Sequence, residues 1–146
     1  METKEFKISI NASKERVWDI LWNDSTYRAW TSVFAEGSHA ESDWQKGSKI
    51  LFLDGKGAGM VSQIVEKIPN EFMSFKHLGE VKDGVQDTSS DKVSEWAGAV
   101  ENYTLNSVNG KTELKVYMNI ADEFMEYFLK TWPKALDKVK ELAEKS

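Results

Sequence analysis

Two titratable side chains, His77 and Glu101, occupy strand positions that could bring an imidazole and a carboxylate together. Successive residues of a strand point to opposite faces of a sheet. In the run EFMSFKHLG this alternation puts His77 on the face of its large apolar neighbours, and in VENYTL it puts Glu101 on the face of Tyr103. On neighbouring strands the two could be cross-strand partners. Such a pair could anchor a polar group of a ligand or exchange a proton as a general acid and base.

The same pair also has structural interpretations, and the sequence leaves them open. His77 and Glu101 could be a satisfied pair near the rim of the sheet, or a β-bulge at Gly98 could turn Glu101 to solvent. The second histidine, His39, is expected to be exposed on an early strand. Two histidines and no cysteine give no metal-ligand spacing, so we expect no metal site. We assign no catalytic residue and no cofactor.

Motifs of several enzyme classes are absent from the sequence. It contains no GxSxG nucleophile elbow, no Walker loop and no dinucleotide fingerprint. GKGAG, within residues 54–59, is rich in glycine, but strand-like runs flank it on both sides. Because a phosphate-binding loop needs a helix N-terminus directly after it, this segment predicts a hairpin loop instead.

The charge balance of the 146-residue chain excludes some partners. The chain has 24 acidic against 19 basic residues, a formal net charge of -5, whereas nucleic acids and anionic membranes attract a concentrated basic face. The absence of cysteine fits a reducing compartment, and the charged start METKEFKISI does not look like an export signal. No run approaches the roughly 18 apolar residues of a membrane span. We therefore expect a single cytoplasmic domain over residues 1–146, monomeric or homodimeric, without a nucleic-acid or membrane partner.

Three of the chain's six tryptophans fall in WDILWNDSTYRAW, residues 18–30. Trp18 lies beside the apolar stripe of a predicted helix and is expected to pack in the core. Trp22, one turn later, is expected to be half exposed at a helix junction. Trp30 ends the next short helix and, with Trp132 from the other end of the chain, could line the rim of a hollow. A purely structural role in the core is the alternative.

The first half of the chain predicts a strand followed by two short helices. EFKISI alternates apolar and polar residues, which is typical of a half-buried strand. Ser13 is a suitable N-cap for the helix that follows, and Asn23-Asp24-Ser25 ends that helix and offers a cap for a second one. A further strand is predicted over residues 34–39.

The middle of the chain predicts a long antiparallel meander. Its segments are rich in β-branched and aromatic residues, and turns are predicted at DGKGAG, Pro69-Asn70 and Asn109-Gly110. The polar segment 79–94 has no periodicity, and we interpret it as a long mobile loop between two strands.

Residues 122–144 predict one long amphipathic helix with Asp122 as a candidate cap. Its apolar face includes Phe128, Trp132 and Leu136. Pro133 lies inside this helix, where it removes one backbone hydrogen bond and is expected to cause a bend, at a cost of about 3 kcal/mol.

INASKERVWDIL, DWQKG, IVEKIPNEFMSF and FLKTWPKALDKVKEL together resemble the SRPBCC (START-like) superfamily, and within it the homologues of activators of heat-shock-protein ATPase. The resemblance covers essentially the whole chain. It implies an α+β helix-grip fold, in which a curved antiparallel sheet of six or seven strands surrounds a long C-terminal helix, with two short helices after the first strand. It also implies a deep cavity between that helix and the sheet.

The function that the resemblance implies is binding of a small, largely apolar molecule in this cavity. The alternatives are a protein-interaction module of the chaperone ATPase activator type, with a chaperone as partner, and an enzyme of the cyclase or dehydratase kind. Strand alternation and the helix pattern give nine candidate ligand-binding residues. They are Trp30, Phe34, Phe75, His77, Glu101, Tyr103, Met118, Phe128 and Trp132.

The entrance to the cavity is expected where irregular backbone can move. The segment 79–94, the 54–59 hairpin and the first half of the last helix meet this condition. The bend at Pro133 could let the N-terminal turns of that helix swing away from the sheet.

Overall fold

The computed structural model describes residues 1–145, which form an α+β domain built on one antiparallel sheet. Within these residues the strands are β1 (Glu2–Ile10), β2 (His39–Glu41), β3 (Lys49–Leu53), β4 (Gly59–Ile68), β5 (Phe72–Lys82), β6 (Val85–Asp87), β7 (Val100–Val108) and β8 (Lys111–Ile120). The helices are α1 (Lys14–Trp22), α2 (Asp24–Thr31), α3 (Asp91–Ser94) and α4 (Met125–Glu144), with a 3₁₀ turn at Asp122–Phe124.

The curved sheet has the strand order β1-β8-β7-β5-β4-β3-β2, and β6 pairs with β5 beside this path. Alternation fixes its inner face: Leu114, Val116 and Met118 of β8 are buried. The Asn109-Gly110 turn joins β7 to β8 with φ of 52° and 80° at its two residues. Both values lie in the region that a type I′ hairpin turn requires, so this predicted turn is confirmed.

The long helix α4 packs on the sheet beside β1 and contacts α1 and α2. Its inward stripe, which includes Trp132, Leu136 and Val139, joins the apolar core of the domain. Ser13 caps α1 by accepting a hydrogen bond from the backbone N–H of Arg16 at 3.1 Å, as the sequence predicts. The predicted helix-grip fold class is therefore confirmed.

Residues 34–38 are not the strand that the sequence predicts. The chain leaves α2 through turns and pairs only from His39 onwards, as β2. Gly37 has φ of +76°, and a Cβ there would lie 2.5 Å from Gly55 Cα. The backbone N–H of Gly55 also donates to the Glu36 carbonyl at 2.9 Å. This segment therefore packs backbone to backbone against the 54–59 hairpin, a contact that leaves no room for a side chain at position 37.

The segment 79–94 is not the loop that the sequence predicts. It contains the end of β5, the whole of β6 and the short helix α3. Asp83 and Gly84 have φ of 52° and 78° and form the two-residue turn between β5 and β6. An Asp-Gly dipeptide is a strong hairpin signal, which the polar composition of the segment concealed. The short strand β6 takes the sheet beyond the six or seven strands expected.

The cap predicted at Asp122 is also wrong. Asp122 opens the 3₁₀ turn, and α4 begins after it at Met125 without a side-chain cap. The Asp122 carboxylate lies 3.6 Å from the N-terminal amine instead. Pro133 lies within α4, as predicted, and its ring is on the exposed side of the helix.

Candidate functional site

Two adjoining cavities open between α4 and the inner face of the sheet. The first, of about 290 Å³, lies among α2, the 34–39 segment, the β3–β4 hairpin and α4. The second, of about 330 Å³, lies among β5, α3, the end of β8 and the start of α4. Each volume is close to the lower end of the range of roughly 300–1,000 Å³ typical of small-molecule sites. The residues that line both are Gly59, Met60, His77, Glu101, Met118, Tyr127 and Phe128.

The structure brings eight of the nine candidate residues together around the first cavity. The eight are Trp30, Phe34, His77, Glu101, Tyr103, Met118, Phe128 and Trp132. They come from α2, the turn after it, three strands and α4, so residues from distant parts of the sequence converge here.

Phe75 is the candidate that the cavity does not include. It points to the inner face as predicted, but it is fully buried. Its ring packs edge-on against Phe52 at 5.1 Å and Trp22 at 5.5 Å between ring centroids. Phe52 therefore lies in the cavity wall and separates Phe75 from the open space.

Sequence reasoning missed several lining residues. Tyr27, Phe52, Met60 and Tyr127 all line the first cavity, as does part of the 34–39 segment. Phe52 and Met60 flank the hairpin that was expected at the entrance, so strand alternation applied to β3 and β4 could have found them. Tyr127 required knowledge of how α4 faces the turn after α2.

A chain of hydrogen bonds runs through the polar part of the cavity wall. Ser62 Oγ lies 2.7 Å from His77 Nδ1, and His77 Nε2 lies 3.2 Å from Glu101 Oε1. The Tyr103 hydroxyl donates to the other carboxylate oxygen of Glu101. His77 and Glu101 are therefore in direct contact, as strand alternation predicts, and Gly98 does not turn Glu101 to solvent.

The register of three strands positions this chain. Glu101 on β7 lies opposite Phe75 on β5 and Met118 on β8, so His77, two residues beyond Phe75, reaches Glu101 diagonally. Ser62 on β4 is the direct cross-strand partner of His77.

With a neutral imidazole, one assignment of protons satisfies the hydrogen bonds of all four side chains: Ser62, His77, Glu101 and Tyr103. Ser62 donates to Nδ1, the N–H at Nε2 donates to Glu101, and the Tyr103 hydroxyl donates to the same carboxylate. Burial, and after it the negative charge of Glu101, raises the pKa of Tyr103 well above its usual range and does the same for Tyr27. Both phenols therefore remain protonated and can donate hydrogen bonds.

The four tryptophans considered in the sequence analysis divide between the core and the cavity wall. Trp18 packs against the core, and Trp22 is partly buried among five aromatic rings. Trp30 and Trp132 are 1% and 3% exposed and line the first cavity. The indole N–H of Trp30 donates to the Leu21 carbonyl at 3.1 Å, so it has a structural partner as well.

The arrangement favours binding over nucleophilic catalysis. Ser62, His77 and Glu101 are connected in the order of a serine nucleophile, a base and an acid, but Ser62 has no exposed surface and does not line either cavity. A nucleophile must reach its substrate.

No group of three or more metal-ligating side chains occurs among residues 1–145. The other histidine, His39, is not exposed as the sequence predicts: it is partly buried, lines the first cavity, and has its Nε2 at 3.4 Å from a Glu41 carboxylate oxygen. Over the same described range, no helix is both long and apolar enough to cross a membrane.

Known structures share this fold at low sequence identity. The solution structure of the Aha1 dimer from Colwellia psychrerythraea has a TM-score of 0.74 and 20% identity, and the match covers 99% of this chain and 97% of that chain. The crystal structure of a protein from Chromobacterium violaceum has a TM-score of 0.71 and 18% identity, with all of both chains covered. DynU16, a protein in the dynemicin biosynthetic locus, has a TM-score of 0.73 and 13% identity over 99% of this chain and 48% of its own.

Sequence comparison identifies the family directly. No functionally curated protein matches the chain. The sequence profile of the family described as Activator of Hsp90 ATPase homolog 1-like protein matches residues 11–144, which is nearly the whole chain. This agrees with the resemblance noted in the sequence and with the helix-grip fold. The chain therefore belongs to the Activator of Hsp90 ATPase homolog 1-like protein family.

Proposed function

We propose that this domain binds a small, largely apolar molecule in the paired cavities between α4 and the sheet. The observation that supports this most is the composition of the shared wall. Aromatic and methionine side chains surround one connected polar group, the pair formed by His77 and Glu101. Small-molecule sites typically combine an apolar lining with a few convergent polar groups that orient the ligand.

The apolar wall supplies most of the binding free energy in this proposal. Each Å² of apolar ligand surface removed from water contributes about 25 cal/mol. One part of the wall is also preformed, because Trp30, Trp132 and Tyr103 are almost fully buried and packed against neighbouring rings. A preformed site spends little free energy on ordering side chains when the ligand enters.

A cavity-filling variant tests the proposal. Met60 lines both cavities, so Met60→Trp should occupy the space and weaken binding of an environment-sensitive apolar dye by about tenfold or more. Val65→Trp is the matched control, because Val65 lies on the same strand but is 37% exposed. Equal dye affinity in both variants and the wild type, with folding verified by circular dichroism, would mean that the dye binds elsewhere and that the proposal is wrong.

Native mass spectrometry of freshly purified protein addresses the natural ligand. The proposal expects a co-purifying small molecule that is displaced by the dye and is missing from Met60→Trp. Its mass would then restrict the candidate ligands.

A second candidate function is stimulation of an Hsp90-type ATPase, and the family match is the observation that favours it. Tyr127 and Leu129, on the first turns of α4, are 43% and 46% exposed and could contribute to a protein contact. Leu129 does not line either cavity, so Leu129→Asp separates the two functions. If the ATPase function is correct, the wild type increases chaperone ATPase turnover and Leu129→Asp loses that effect while it keeps dye binding.

The Colwellia neighbour is a dimer, so a homodimer belongs to the same proposal. Analytical ultracentrifugation of the wild type decides between a monomer and a homodimer.

A further inference from the structure

Glu101 presents unused hydrogen-bond acceptor capacity to both cavities. Its side chain is 15% exposed, and it lines the two open spaces at their junction. An ionised carboxylate offers about four lone-pair positions. His77 and Tyr103 use two of them. Among residues 1–145, no lysine or arginine nitrogen lies within 4.0 Å of this carboxylate.

The proton assignment leaves the cavity wall with acceptor capacity and a negative charge. Ser62, His77 and Tyr103 each direct a proton along the chain that ends at Glu101. With the imidazole neutral, none of these protons is free for a ligand, and the group has a net charge of -1 by the formal count of one carboxylate. A ligand that meets Glu101 must therefore donate.

Aromatic rings lie beside both hydrogen-bond partners of Glu101, so a group bound at this carboxylate has aromatic neighbours. Phe52 lies 6.1 Å from His77, and Trp132 lies 6.1 Å from Tyr103, measured between ring centroids. An ammonium group is compatible with such neighbours, because it is attracted wherever the negative face of a ring is turned toward it. Because the Glu101 side chain is only 15% exposed, it also loses less hydration on binding than an exposed carboxylate would.

Charges at the outer opening are compatible with the same ligand class. Glu80 and Glu123 line the second cavity, and so do Lys92 and the N-terminal residue Met1. The Met1 amine is paired with Asp122, at 3.6 Å. The two carboxylates, Glu80 and Glu123, outnumber the one lysine, Lys92, so this opening attracts cations weakly.

We propose that the ligand is an organic cation, an apolar body bearing a primary or secondary ammonium group whose N–H donates to Glu101. This rests on the proposed binding function and adds the chemical class of the ligand to it. The ammonium group replaces water at the unused positions of the carboxylate, and the apolar body occupies the aromatic wall around Trp132.

Three probes with the same ring system test this by isothermal titration calorimetry at neutral pH. They are 2-(2-naphthyl)ethylamine, which is a cation, 2-(2-naphthyl)ethanol, which is neutral, and 2-naphthaleneacetic acid, which is an anion. In the wild type we expect the ammonium compound to bind about tenfold tighter than the alcohol, because its donor carries a charge opposite to that of the Glu101 carboxylate, whereas the alcohol is a neutral donor. The anion should bind weakest.

Glu101→Gln should remove the preference, so that the ammonium compound and the alcohol bind with similar affinity. Glu5→Gln is the matched control, since it removes the same charge from an exposed position on β1 and should leave the preference intact. Measurement at high salt separates the buried contact from long-range attraction by the net charge of the chain, because salt screens only the latter strongly.

The possible outcomes are distinct. Binding of all three probes without preference, or a preference that survives in folded Glu101→Gln, overturns the ammonium proposal and leaves the binding function standing. Binding of none of them overturns both. If Glu101→Gln does not fold, the wild-type affinities at high salt still decide, because an alcohol that binds as well as the ammonium compound contradicts the proposal.

Discussion

Ser62 acts on the cavity through His77. It is fully buried, and its one side-chain hydrogen bond is the contact of 2.7 Å with His77 Nδ1. That contact fixes which nitrogen of the imidazole bears the proton and therefore which atom faces Glu101. A residue that lines no cavity thus determines the orientation of one that does.

Ser62→Ala should lower the free energy of unfolding by about 1–3 kcal/mol, because it leaves a buried imidazole nitrogen without a partner. Urea denaturation followed by tryptophan fluorescence measures this change. Ser107→Ala, at an exposed position on β7, is the control and should change the value by less than about 0.5 kcal/mol. Equal midpoints for the two variants would show that His77 Nδ1 does not depend on Ser62.

The two buried phenols predict a loss of stability in alkali. Burial, and secondarily the charge of Glu101, raises the pKa of Tyr27 and Tyr103 above the unfolded value of about 10. The folded protein therefore retains protons that the unfolded chain releases. This contribution is complete below the unfolded pKa and is lost as the pH rises beyond it. Urea unfolding at pH 8 and at pH 10.5 should show the decrease, and Tyr27→Phe should reduce it. A Tyr27→Phe variant with the same pH dependence as the wild type would contradict the assignment.

At the scale of the elements, α4 combines a packed C-terminal part with a more exposed beginning. From Thr131 onwards its inward residues are buried, whereas Tyr127 and Leu129 before that point are 43% and 46% exposed. Pro133 lies near the boundary and lacks the N–H that would donate to the Leu129 carbonyl. The first turns, which line both cavities, are therefore the part of the helix that is held least firmly.

Pro133→Ala should slow the uptake of an apolar dye while leaving its final occupancy similar. Alanine restores the missing backbone hydrogen bond, and because Pro133 is on the exposed side of α4, no core contact is lost. Stopped-flow fluorescence measures the rate, with circular dichroism as the check on folding. Lys134→Ala, at the next exposed position, is the control and should behave as the wild type does. Unchanged kinetics in Pro133→Ala would mean that the proline is only a packing accommodation.

At the scale of the whole molecule, the sequence predicted what depends on local alternation. Side-chain parity in β5, β7 and β8 placed His77, Glu101 and Met118 on one face, because a strand alternates whatever its partners are. The order of the elements, with the family resemblance, predicted the fold class. Four of the eight candidate residues that line the cavity, His77, Glu101, Tyr103 and Met118, lie on these strands.

The errors lie where contacts between distant segments decide. Residues 34–38 have strand-like composition, but the close approach of Gly37 to Gly55 holds them in turns. Phe75 has the right parity, and only the position of Phe52 on another strand excludes it from the cavity. Tyr127 faces the turn after α2 because of how α4 lies on the sheet. No local pattern contains this information.

The contact between Tyr127 and Phe34 joins α4 to the turn after α2, across 93 positions of sequence. The Tyr127 hydroxyl donates to the Phe34 carbonyl, and the Phe34 ring lies 6.5 Å from that of Tyr127 and 6.2 Å from that of Phe128, between centroids. Since all three residues line the first cavity, this contact closes one side of its opening.

Tyr127→Phe keeps the ring and removes only the hydrogen bond, so it tests whether this contact controls entry. A net hydrogen bond is worth about 1 kcal/mol, and its loss should therefore speed dye uptake by about fivefold if the contact must break before a ligand enters. Equilibrium affinity should change little, because the variant lacks this hydrogen bond both with and without the ligand. Tyr117→Phe, 39% exposed on β8, is the matched control and should leave the rate unchanged. If Tyr127→Phe takes up the dye at the wild-type rate, the ligand enters through the second cavity, between α3 and the 3₁₀ turn before α4, and the contact with Phe34 only stabilises the fold.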